Sequence, residues 1–177
     1  MTEPTLPTPP AGDEPSRRDV VAAAVTMAAA AGAAGTPAQA QTPSHLRFSN
    51  PPGMSSPPTY SHVVEVIGAH RTVYIAGQTG ADAKGNVPKD FRGQAVQVME
   101  NIKTALASVG GGFEHIVKLT SYLTNLEANA AEFREIRGSY FPNKQALPAS
   151  TLLQVPRLAN PAFLLEVEAI AVLPPKA

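Results

Sequence analysis

Cysteine is absent from the 177 residues, and with it go disulfide frameworks, thiolate metal clusters and cysteine nucleophiles. Charge is sparse as well. Asp, Glu, Lys and Arg make up 16% of the chain, and 14 basic residues balance 14 acidic ones. A chain with no net charge has no bulk field to gather nucleic acid or an anionic membrane, so any recognition is local. Also missing are a phosphate-cradling Walker loop, a dinucleotide-binding glycine fingerprint, a nucleophile elbow and a helical HExxH pair. Neither an organic cofactor nor a metal is expected on these grounds. His62 and His115 stand on separate apolar runs without ligand spacing and read as structural residues. What is present is 44% hydrophobic residues in a length suited to one domain, enough for a single buried core.

Proline is plentiful but unevenly placed. Eleven of the 18 prolines fall in residues 1–60, where they preclude long helices and continuous strands. Inside that stretch Arg17-Arg18 precede an alanine-dominated apolar run to Ala34, followed by Ala38-Gln39-Ala40. A basic segment, a short apolar segment and a small-x-small site are the three parts of an export signal. Paired arginines before a mildly apolar run resemble a twin-arginine (Tat) signal. The expected organisation is therefore an export signal over 1–40, a Pro-rich linker over 41–59 and a folded domain over 60–175, with the mature protein periplasmic or secreted. A disordered Ala/Pro-rich tail is the alternative. A membrane span is disfavoured because Thr26 and Gly32 interrupt the run. Residues 41–177 carry 12 basic and 10 acidic side chains, still close to balance.

From Tyr60 the pattern becomes regular. His62–Ile67 and Thr72–Ala76 are β-rich and separated by Gly68-Ala69-His70-Arg71, which predicts a hairpin. Gly77–Asn86 is rich in Gly, Asn and Asp and predicts a loop. Phe91, Ala95, Val98, Ile102, Leu106 and Val109 then follow the 3/4 spacing of an amphipathic helix, with Asp90 as its N-cap and Gly110-Gly111-Gly112 as its stop. His115–Leu123 predicts a strand and Ala128–Phe141 a second helix, turning Ala131, Phe133, Ile136 and Tyr140 to the sheet. Ala149–Val155 and Phe163–Val172 predict two closing strands, the last alternating Leu165, Val167 and Ala169 against Glu166, Glu168 and Ile170. The order ββαβαββ gives an α+β fold, a mixed sheet with two helices on one face. Its other face carries enough Val, Leu and Ile to need covering, so a homo-oligomer is expected.

Five segments carry a resemblance: Val73-Tyr74-Ile75-Ala76-Gly77-Gln78, Val98 to Lys103, Ile116 to Leu123, Pro148-Ala149-Ser150-Thr151 and Leu165 to Ala171. In this order they resemble the RidA/YjgF/L-PSP family, whose members are trimers of a chorismate-mutase-like fold with sites at subunit clefts. The resemblance implies hydrolysis of reactive enamines and imines, small metabolites, with release of ammonia. It implies that Glu166 positions the attacking water and that Gly77 shapes the pocket. It also places Ser150, beside Thr151, where deaminating members carry an arginine that grips the substrate carboxylate. A hydroxyl does not replace a fixed cation, so the substrate is expected to lack that carboxylate, unless Arg134 or Arg137, one helical turn apart, supplies the charge from another direction.

Plainer readings compete at each position. Glu166 fits a solvated or salt-bridged strand glutamate, Gly77 a strand end of unusual backbone conformation, and Arg134 and Arg137 a charged helix face paired with Glu132 or Glu135. For the whole protein, a small-molecule-binding or chaperone-like trimer without chemistry is the alternative to a deaminase. A ribonuclease, suggested by the older family name, is poorly served by so balanced a charge.

Overall fold

The stripe Phe91, Ala95, Val98, Ile102 and Leu106 forms one buried face of a helix, α1 (Phe91–Ser108), in a computed structural model that describes residues 45–176. Asp90 caps it by accepting from the Gly93 N–H at 2.8 Å, and Gly110 leaves it with φ of 77°, a left-handed conformation open to glycine. The second helix, α2 (Leu126–Ser139), begins two residues before the predicted start because the Asn125 side chain accepts from Ala128 N–H. Its buried side is Ala130, Phe133, Ile136 and Arg137, so Ala131 faces outward and Tyr140 only flanks the core. The export signal expected over 1–40 lies outside the described residues.

The strands are β1 (Leu46–Ser49), β2 (Val63–Val66), β3 (Arg71–Thr79), β4 (Ile116–Leu123), β5 (Ala149–Gln154) and β6 (Leu165–Leu173), with a short 3-10 turn at Phe113–His115 before β4. Two expectations need correction. The predicted hairpin between the first two strands of the domain does not form: β2 pairs antiparallel with β1, Leu46 opposite Val66, and β3 pairs with β6. β1 itself lies inside the stretch read as a Pro-rich linker. Four residues between Pro43 and Pro51 are long enough for one short strand, and Leu46 is buried against Val117 and Val172. The second correction concerns Gly77, Gln78 and Thr79, which belong to β3 and not to the following loop.

The main sheet runs β3-β6-β4-β5, with β6 antiparallel to both neighbours and β4 parallel to β5. Parallel pairing of β4 and β5 requires the α2 crossover, which places both helices on one side. On that side Leu119 and Leu123 of β4 and Leu165, Val167, Ala169 and Ala171 of β6 meet Val98, Met99, Ile102, Leu106, Phe133 and Ile136 in a continuous core. The architecture is α+β, a mixed sheet with two helices packed on one face. No helix among the described residues is long and apolar enough to cross a membrane.

One polar side chain sits in the apolar stripe of α1. Gln94, 1% exposed, donates to Pro88 O and Ala162 O and accepts from Leu164 N–H, tying two loops to the helix. Ser121 is the opposite case, a buried hydroxyl with no hydrogen-bond partner in the structure. Chemical denaturation should separate them. Gln94→Leu leaves three part-buried backbone groups without their side-chain partner and is expected to cost about 2 kcal/mol, whereas Ser121→Ala removes an unsatisfied group and is expected to be neutral or to stabilise by about 1 kcal/mol.

Candidate functional site

Strand alternation divides β6 into two sets. Leu165, Val167 and Ala169 enter the core, while Glu166, Glu168 and Ile170 face the side of the sheet without helices. Glu166 pairs in register with Thr79 on one side and Tyr122 on the other. It is partly buried, yet makes no hydrogen bond or ion pair with any described residue.

Gly77 explains the space around it. β3 and β6 lose register between Ile75 and Gln78, so Ala76 and Gly77 form a bulge. A Cβ at Gly77 would stand 1.9 Å from Glu166 Oε1 and 2.7 Å from its Cδ. Its φ is not positive. With the carboxylate in this position there is no room for a Cβ, and since the φ is not positive the glycine answers to that approach and not to an unusual strand-end conformation. The structure thus brings together Gly77 and Glu166, two residues 89 positions apart in sequence.

The same face carries groups that the sequence reading passed over. Tyr122 O–H donates to Glu168 Oε1 at 3.3 Å, and desolvation, then the Glu168 charge, push the phenol's pKa up. Lys118 Nζ donates to Thr151 Oγ1, so Thr151 belongs to this face and its hydroxyl is already engaged. Tyr74, Lys118, Thr120, Glu168 and Ile170 line a hollow of about 370 Å³, with Glu166 and Gly77 beyond its far end. Register exposes the signal that could have found them: Lys118, Thr120 and Tyr122 alternate with the buried Leu119, Ser121 and Leu123.

Ser150 lies elsewhere. It stands opposite Leu119 in the ladder, a helix-side position, at the β5 edge. There it accepts from Arg137 Nη1 at 2.8 Å, while Arg137 Nη2 donates to Thr59 O. Arg137 is 7% exposed because it continues the Phe133 stripe of α2 one turn on, a core-facing position. Burial, then the neighbouring Arg134, pull its pKa below the ordinary guanidinium value. The reading of Arg137 as half of a charged helix face is corrected. Glu132 and Glu135 are instead held by Arg92, at 2.8 and 3.2 Å. Arg134 remains exposed, without a hydrogen bond or ion pair to any described residue. A guanidinium therefore does stand against position 150, delivered from the helix. Within one chain, the Glu166–Gly77 pair and the Arg137–Ser150 pair lie on opposite faces of the sheet.

The described residues hold no cluster of three or more His, Asp or Glu side chains suited to a metal ion. The carboxylate beside Gly77 can orient a water, and the buried guanidinium can hold an anion.

Comparison with known proteins places this geometry. The family described as Endoribonuclease L-PSP matches residues 54–173. Protein DfrA of Myxococcus xanthus is 37% identical over 115 residues, which cover 64% of this chain and 84% of DfrA. The 2-iminobutanoate/2-iminopropanoate deaminase of Mus musculus is 35% identical over 115 residues, covering 64% of this chain and 80% of the mouse protein. Among solved structures, the Rid-family protein YyfB of Yersinia pestis superposes with a TM-score of 0.64 at 32% identity, over 73% of this chain and 99% of YyfB. Sequence match, sheet order and helix placement agree, and the chain belongs to the Endoribonuclease L-PSP family, the group that includes the RidA and RutC proteins.

Proposed function

We propose that this protein is a hydrolytic deaminase of reactive imines and enamines, with Glu166 positioning the attacking water. The observation that carries the reading is the state of that carboxylate: partly buried, without a partner among the described residues, and seated in the space a Cβ at Gly77 would take. Relatives named as deaminases, in mouse and as TdcF in Escherichia coli, support the reaction class. An imine carbon becomes electrophilic once its nitrogen is protonated. Water then adds through oxygen to that carbon, its protons pass to nitrogen, the C–N bond breaks, and a carbonyl compound and ammonia leave. An enamine enters the same sequence after protonation at carbon. The protein's part is to hold the substrate and fix one water against it.

The other end of the substrate separates two readings. Serine at position 150 favours a substrate without the 2-imino acid carboxylate. The Arg137 guanidinium against Ser150 Oγ favours a substrate that keeps an anionic group, and this is the reading we adopt.

The open sheet face supports assembly of identical chains. Tyr74 is 78% and Leu153 43% exposed there, large apolar surfaces that a lone chain leaves in water. We assign this face to a homotrimer, in which one protomer's Arg137 edge could be met by a partner's open face.

Purified protein added to imines generated by an amino-acid oxidase should accelerate ammonia release. Glu166→Gln is expected to lower kcat at least ~100-fold with an unchanged unfolding midpoint, and full activity in this variant would overturn the assignment. Gly77→Ala must push the flexible Glu166 carboxylate aside. It is expected to lower kcat by about tenfold or more with little loss of stability, because only a side-chain end has to move. Sedimentation equilibrium tests assembly: wild type is expected at three times the chain mass, and Tyr74→Arg at a lower state.

A further inference from the structure

One motif of the sequence has no part in the site. Arg17 and Arg18 are the only Lys or Arg residues before Arg47, and only Asp19 separates them from the longest stretch of the chain without Lys, Arg, Asp or Glu, Val20 to Leu46. That stretch opens with an apolar run to Ala34 made almost wholly of alanine and valine. An alanine side chain is a single methyl, so the run carries enough apolar surface to enter a bilayer and too little to stay in it as an anchor. Ala38-Gln39-Ala40 supplies the small side chains that a signal peptidase requires one and three residues before the bond it cuts. With no cysteine in the chain, no acyl group on a thiol can tether the product afterwards.

The fold adds where such a cut falls. His45, the first residue described, is already fixed to the domain: its carbonyl accepts from Ile67 N–H at 2.9 Å, and its Nε2 donates to Val172 O at 3.3 Å. Leu46 is 6% exposed, packed against Val117 and Val172. A cut between Ala40 and Gln41 spares all of these contacts and leaves Gln41 to Ser44 ahead of the domain, whereas a cut a few residues later takes β1 away. The chain enters the domain at the Val172 end of β6, and Glu166 lies six residues back, about 20 Å along the strand. Nothing in the domain waits for another compartment either. There is no disulfide to form, and Leu46 near its start packs on Val172 near its end, so the fold can close as a unit where it is made. A route that threads an unfolded chain has to hold that unit open. A route that accepts a folded one does not, and paired arginines are its address.

We propose that residues 1–40 are a removable twin-arginine signal, that the domain crosses a membrane already folded, and that a peptidase then releases it by cutting between Ala40 and Gln41. None of this rests on the deaminase reading. The signal is read by a translocase and the site by a substrate, so the two can fail separately.

The test expresses the full chain, tagged at its C-terminus, in a bacterial host with a twin-arginine translocase and in a strain lacking it, with cell fractionation and intact mass as readouts. Wild type is expected in the periplasmic fraction at the mass of residues 41–177 plus tag. Arg17→Lys with Arg18→Lys keeps the charge and loses the guanidinium pair; it is expected to lower the periplasmic fraction at least ~10-fold, as loss of the translocase does. The precursor held inside is expected to resist protease over residues 45–176 as the mature protein does. Ala40→Phe puts a bulky side chain at the cut and is expected to leave the protein exported but unshortened. Four results would overturn the proposal: wild type confined to the cytoplasm at full length, export unchanged by the two lysines or by loss of the translocase, a mature start within β1, or a retained precursor that protease digests throughout. Absence of ammonia release from both precursor and mature protein would instead count against the deaminase reading alone.

Discussion

The carboxylate of the site depends on where β6 lies. It is the last strand described, yet it occupies an interior position in the sheet, hydrogen-bonded to β3 on one side and β4 on the other. Its alternation then does two things at once. Leu165, Val167, Ala169, Ala171 and Leu173 complete the core beneath the helices, and this burial, at about 25 cal/mol per Å² of apolar surface, fixes the register. A register fixed by apolar residues leaves Glu166 and Glu168 no choice of face. The carboxylate beside Gly77 is held where it is because its neighbours in sequence are buried, and the bulge in β3 makes room for it.

The second centre is built on a different principle. Arg137 sits in a helix position where Phe133 and Ile136 set the rule of burial, and the helix carries a charge into that position. Its two neutral partners hold the guanidinium in place without cancelling it. Sheet and helix thus supply complementary charges, a carboxylate on one face and a cation on the other. In a single chain these do not meet.

How far the sequence reveals this differs residue by residue. α1 is legible because three local signals agree: the apolar spacing from Phe91 to Leu106, the Asp90 cap and the glycines that follow. Gln94 is visible in the same stripe as a polar residue at a core spacing, and only its three partners needed coordinates. β1 is hidden because prolines on both sides suggest a linker, and four residues are too few to show alternation. The partner of β2 is hidden for another reason. Pairing is a choice among distant strands, and nearness in sequence favoured β3 although β3 has its better match in β6. Glu166 and Gly77 could be named as candidates from the family pattern, but the 1.9 Å approach that links them is a fact of packing. The two sites of Arg137 and Ser150, 13 residues apart, could be listed as alternatives, and only the crossover from α2 to β5 decides that one reaches the other.

The interior position of β6 has one more consequence, for the order in which this protein can come into being. Neither β3 nor β4 has its antiparallel neighbour until residues 165–173 have been synthesised. The sheet cannot grow outward from its beginning as the ribosome delivers it, and contacts of such long sequence separation form slowly. A premature stop at residue 164 would not trim an edge from the protein; it would remove the keystone, leaving both halves of the sheet with unpaired backbone and a core open to water.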